Sequence, residues 1–118
     1  MIEGQPDMAV AGEASDGVDG LDAFLRLSPD VTVTDVNLPR LNGIGLVAEI
    51  RRRNPEALTI VITALDPNGF VAEAFAAGAR SFLKKSMLRR ELLPAIRAVH
   101  RGAEYIPAEI ARKLRRDP

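Results

Sequence analysis

Asp35 closes the β-branched run "VTVTD" (31–35) and is followed at once by the proline- and glycine-marked stretch "VNLPRLNG". Taken alone, an aspartate at a strand end is most often a solvated or capping residue. Two other short apolar runs end in polar groups. "LTIVITA" (58–64) carries Thr63 near its end, and "RSFLKK" (80–85) runs out through Lys84 and Lys85 to Ser86. In an open α/β sheet the working rim is the set of loops after the carboxyl ends of the strands. If these runs lie side by side and parallel, a carboxylate, a hydroxyl and an ammonium meet on that rim. The set suits phosphoryl transfer to a carboxylate. The carboxylate is the nucleophile, the lysine offsets phosphate charge as a point cation, and the hydroxyl donates to a phosphoryl oxygen. A divalent metal is also called for, because nucleophile and incoming phosphate are both anionic.

The elements that position these groups follow from periodicity. Four runs read as strands: "MAVAGEA" (8–14), "VTVTD", "LTIVITA" and "RSFLKK". Between them lie stretches of helical period. Val18, Leu21 and Leu25 share one face, with Ser15 or Asp16 placed to cap. Ile44, Val47 and Ile50 form a second stripe, with Arg51, Arg52 and Arg53 outward and Asn54-Pro55 as the stop. Val71, Ala74 and Phe75 form a third, closed by Gly78. Leu88, Leu92, Ile96 and Val99 form a fourth, closed by Gly102. Strands alternating with helices imply a parallel sheet with right-handed crossovers. Gly17, Gly20 and Pro94 read as local faults inside helices. The tail "YIPAEIARKL" (105–114) reads as a short extra helix, with Ile106, Ile110 and Leu114 on one stripe and Pro107 in its first turn.

Composition narrows the classes. With 118 residues, 47% apolar and 27% charged, the chain has the makings of one globular domain. Sixteen basic and sixteen acidic side chains cancel, so there is no global pull toward nucleic acid or anionic lipid. The absence of cysteine excludes disulfides, thiolate metal sites and a cysteine nucleophile, and His100 is the single histidine. No apolar run spans a bilayer and no signal pattern opens the chain, so a cytoplasmic location is the expectation. Gly12, Gly17 and Gly20 do not have dinucleotide-fingerprint spacing. The basic run "ARKLRR" reads as the wet face of the last helix.

The segments "GEASDG" (12–17), "PDVTVTDVNLPRLNGIGL" (29–46), "IVITA" (60–64), "AGARSFLKK" (77–85) and "LLPAIRAVHRG" (92–102), in this order and spacing, resemble the receiver domain of bacterial two-component response regulators. The resemblance is to the subclass that usually carries a LuxR-type helix-turn-helix output. It implies a flavodoxin-like α/β fold. It also implies Asp35 as phosphoacceptor, the Asn37 backbone carbonyl as a metal ligand beside Asp35, Thr63 as the switch hydroxyl, Lys85 as the phosphate-pairing lysine and Phe82 as the switch aromatic. The cofactor implied is Mg2+, and the partner is a histidine kinase. Phosphorylation would favour a state in which hydroxyl and aromatic move inward, remodelling a protein-binding face.

The family begins with a further strand ending in a pair of acids that hold the metal. Glu3, Asp7 and Glu13 do not match that pair. The expectation is therefore a receiver domain over residues 1–104 without its first strand and most of its first helix, followed by a short helix and tail over 105–118 with no output domain. Mg2+ binding is in doubt for the same reason. A longer native chain, direct pairing of the strands flanking the gap, or a partner chain would each satisfy the bare edges. Two functions stay open: a receiver phosphorylated on Asp35, or a phosphorylation-incompetent remnant acting by protein interaction or dimerisation. Neither is an independent enzyme, and neither implies direct nucleic-acid or membrane binding.

Overall fold

Three short strands pair in parallel: β1 (Thr32–Asp35), β2 (Thr59–Thr63) and β3 (Ser81–Lys84), in the order β1-β2-β3. They belong to a computed structural model that describes residues 2–64 and 70–114. The register sets Asp35 opposite Ile62, and Thr63 opposite Lys84, so the three polar strand ends fall at one edge of the sheet. Each crossover carries a helix: α1 (Gly17–Leu27) precedes β1, α2 (Gly43–Arg53) joins β1 to β2, and α3 (Val71–Ala77) joins β2 to β3. After β3 a single 3-10 turn (Lys85–Met87) leads into α4 (Leu88–His100), and α5 (Ala108–Leu114) follows.

Alternation along the strands builds two cores. Val61 and Phe82, register partners, join Val36, Val47, Val71, Ala74, Ala79 and Ile110 on one face, under α2, α3 and α5. Ile60 and Leu83 join Met87, Leu92, Ala95 and Val99 on the other, under α4. A sheet covered on both faces needs strands apolar on both sides, which "TIVIT" and "SFLK" supply. Helix stops fall where expected: Asn54 caps α2, and Gly78 ends α3 at φ 121°, a conformation that favours glycine. Pro94 lies well inside α4, which begins at Leu88 rather than near Glu91. It deprives the Arg90 carbonyl of its amide partner, and the proline itself is exposed.

Two expectations are corrected. The run 8–14 is not a strand: it carries no ladder hydrogen bonds, and residues 9–14 are exposed. A strand exists only through a partner. The turn before this run is held by Arg97, which reaches the Gln5 side chain at 2.8 Å and Asp7 at 3.0 Å. The run after it leads into the α1 cap, and the β1 edge away from β2 has no ladder partner among the described residues. Direct pairing of the two flanking segments is therefore not realised.

The second correction concerns α1. Val18 and Leu25 are 44% and 52% exposed, so the stripe Val18–Leu21–Leu25 is not the buried face. The inward side runs through Gly17, Gly20, Leu21 and Phe24 and packs on α2. The glycines read as faults are the contact surface. A Cβ on Gly17 would stand 1.7 Å from the Leu41 carbonyl oxygen, and one on Gly20 would stand 3.2 Å from a Leu46 methyl.

Candidate functional site

The backbone around Asp35 is tightly constrained. The ladder continues one residue past β1, with the Val36 amide donating to the Ile62 carbonyl at 2.9 Å. The Val36 carbonyl then accepts from the Gly43 amide at 2.8 Å. This return brings α2 so close that a Cβ on Gly43 would meet the Asp35 carbonyl oxygen at 1.7 Å. Asn42 caps α2 by accepting from the Gly45 amide at 2.8 Å. Only a glycine at position 43 lets the helix start directly beneath the acid.

The loop between Asp35 and α2 is clamped from the side. Arg40, at φ 67°, donates to Asp16 at 2.9 Å and to Asp19 at 3.1 Å. Asp16 also caps α1 by accepting the Asp19 amide at 2.8 Å. That amide, and then the Arg40 guanidinium, hold the Asp16 carboxyl below the usual carboxylate range. Below it the Gly17 amide donates to the Pro39 carbonyl at 3.2 Å.

Lys85 faces Asp35 across the rim, its Nζ 3.3 Å from Oδ1. Both side chains are partly open, at 48% and 33% exposure, so the pair contributes little to folding and serves as geometry. Thr63, at 1% exposure, stands at the end of β2, one residue beyond the register partner of Asp35. Phe82 is fully buried on β3 beneath α3 and α5. Asn37 lies in the loop just past Asp35 and is exposed, as is Ser86 beyond Lys85. The structure therefore brings the carboxylate and the ammonium into contact. It sets Thr63 at the adjacent strand end and places Phe82 in the core rather than at the rim.

The donor set does not make a magnesium site by itself. Mg2+ demands near-octahedral oxygen ligation and sheds water reluctantly. The rim offers the Asp35 carboxylate and the Asn37 carbonyl, and among the described residues no three acids or histidines cluster.

Three contacts have no signal in the sequence. Arg40 and Asp16 lie 24 residues apart with no periodic relation. Lys84 pairs with Glu109 on α5 at 2.6 Å, which lowers the Glu109 carboxyl from its usual range. The Tyr105 hydroxyl donates to Glu91 at 2.5 Å, which holds that carboxyl below its usual range and pushes the Tyr105 pKa above the usual phenol value. The sequence points to Lys85 for the rim, and the structure sets it beside Asp35, whereas the partner of Lys84 has no signal in the chain.

A parallel sheet under helices on both faces, with an acid and a lysine paired at its carboxyl rim, is the α/β architecture of a receiver-type signalling domain. The chain belongs to the response regulator receiver domain family, whose sequence profile matches residues 1–97. It is 37% identical over 114 residues to the uncharacterized transcriptional regulatory protein YxjL of Bacillus subtilis, covering 97% of this chain and 52% of YxjL. It is 35% identical to the transcriptional regulatory protein LiaR of the same organism, covering 96% of this chain and 54% of LiaR. The crystal structure of a LuxR-family two-component response regulator from Aurantimonas superposes with a TM-score of 0.89 at 32% identity. That match covers 96% of this chain and 81% of the other. The chain spans about half the length of the curated relatives it matches. Among the described residues no helix is long and apolar enough to cross a membrane.

Proposed function

We propose that this chain is the receiver of a phosphorelay, taking a phosphoryl group on Asp35 from a histidine kinase and passing the change to a protein-binding face. The observation that carries the reading is the 3.3 Å contact between Lys85 and Asp35 on the strand rim. An Asp35 oxygen attacks the phosphorus of a phosphohistidine. The P–N bond breaks, and the imidazole leaves with a proton. The Lys85 ammonium, already beside the carboxylate, then faces the new phosphoryl oxygens and offsets their charge. Thr63 at the neighbouring strand end is the proposed hydroxyl donor, and Phe82, between Thr63's strand and α5, the proposed relay to the surface.

The test is incubation with acetyl phosphate, with and without Mg2+, followed by intact-mass measurement. Wild type is expected to gain one phosphoryl group and Asp35→Asn none. Lys85→Gln is expected to react roughly 100-fold more slowly, as when one preorganised charge donor is removed. Unmodified wild type under all conditions sinks this reading. A second reading is then favoured by the short donor set at the rim: a protein-interaction or dimerisation module that does not take phosphate.

A further inference from the structure

Lys84 ends β3 and Lys85 opens the turn that follows, and the two reach different partners. Lys85 meets Asp35 at 3.3 Å, while Lys84 meets Glu109 of α5 at 2.6 Å. The segment that carries Glu109 is attached at both ends of β3. The Tyr105 amide donates to the Arg80 carbonyl at 2.9 Å and Tyr105 forms a parallel bridge with Ser81. The Ser81 hydroxyl donates to the Tyr105 carbonyl at 2.5 Å, and the Arg80 guanidinium to the Gly102 carbonyl at 2.6 Å. Ile110 is fully buried in the core that holds Phe82 and Val71. The tail thus bridges the outer edge of β3 at Ser81 and packs against α3 beside it.

We propose that residues 105–114 form a latch whose docking is coupled to the charge at Asp35 through the adjoining lysines at the end of β3. The inference deepens the reading above by naming how the site is regulated. β3 has four residues, and Lys84 and Lys85 share one peptide unit. A displacement of Lys85 toward or away from the acid moves the Lys84 backbone with it. That backbone carries the ion pair to Glu109, and the same strand carries the bridge to Tyr105. Removing the negative charge at Asp35 frees Lys85, loosens this strand end and weakens the latch. Adding a phosphoryl group increases the negative charge facing Lys85 and tightens it. Coupling is reciprocal: a docked tail holds Lys85 against Asp35, and an undocked tail releases it. Glu109 and Tyr105 are in this sense positioning residues, acting through β3 without touching the acid.

The experiment is amide hydrogen exchange on the full chain, read at Tyr105 and Ala111, whose amides bond to Arg80 and Pro107. Wild type is compared with Asp35→Asn, Lys85→Gln and Ile50→Val. The last lies in α2 and controls for a general loss of stability. Exchange in the tail is expected to speed up by about five-fold or more in the two rim variants beyond the control, the lower range of site-to-site coupling. Tail exchange that follows the control in both rim variants overturns the latch. Lys84→Glu and Glu109→Lys singly are expected to raise tail exchange, and together to restore it. Failure of the double variant to restore protection also counts against the proposal. Intact mass after acetyl phosphate treatment is read in parallel. An unmodified wild type removes the phosphoryl-acceptor reading, while the Asp35→Asn comparison still decides the latch.

Discussion

At the scale of single residues, the sheet and its connecting loops contain both strict and loose positions. Gly43 is strict, because any side chain there meets the Asp35 carbonyl. Arg40 holds a left-handed conformation and pays for it with contacts to two acids. Thr59 is loose in the opposite sense. It is 2% exposed and pairs across the sheet with Thr32, and neither hydroxyl finds a hydrogen-bond partner among the described residues. A buried unpaired hydroxyl costs roughly 1–3 kcal/mol. Thr59→Val keeps the shape and removes the orphan group, so it is expected to raise stability by about 1 kcal/mol. Equilibrium urea unfolding checks this, and a destabilised variant would show that the hydroxyl is satisfied in solution.

At the scale of elements, α1 shows how a helix face is chosen. Its larger apolar residues suggested Val18, Leu21 and Leu25, yet the inward side is the one that carries two glycines. Close approach of α1 to the 36–42 loop and to α2 selects that side, because only glycine fits against the Leu41 carbonyl. The two glycines respond differently to alanine. Gly17→Ala drives a Cβ into backbone and is expected to destabilise by at least the 1–3 kcal/mol typical of overpacking. Gly20→Ala meets only the tip of Leu46 at 3.2 Å, and it gains about 1 kcal/mol of helix propensity. Its expected effect is neutral to mildly stabilising. Thermal unfolding of the two variants side by side measures the contrast, and equal losses would refute this account of the α1–α2 contact.

At the scale of the whole molecule, ion pairs tie the ends of the chain to its centre. Asp7 is held below the usual carboxylate range by Arg97, Asp16 by the Asp19 amide and Arg40, Glu91 by Tyr105, and Glu109 by Lys84. Each of these acids is depressed in the folded state. Its contribution is fully present above the unfolded value near 4 and is lost as pH falls through the lower folded value. Tyr105 is shifted the other way by its bond to Glu91. Its contribution is present below about pH 10 and is lost as pH rises through the raised folded value. Urea midpoints are therefore expected to be highest between these limits and to fall on both sides. Tyr105→Phe is expected to flatten the alkaline side. A midpoint unchanged between pH 7 and pH 3 would contradict the acid arm. The tail belongs to this account, since Ile110 lies in the same core as Phe82.

The alternation of strands and helices, the stops at Asn54 and Gly78, and the exit of Asp35 into a proline- and glycine-marked loop were all readable from the chain. They rest on local chemistry: side-chain period, missing amides and permitted backbone angles. The convergence of the three polar strand ends was readable too, because parallel strands of similar length bring their ends to one rim. The partners were not readable. Whether 8–14 becomes a strand depends on an edge elsewhere, and which face of α1 turns inward depends on a carbonyl at Leu41. The pairing of Lys84 with Glu109 depends on where α5 docks. Such contacts join residues far apart in the chain, and only the folded packing brings them within reach of one another.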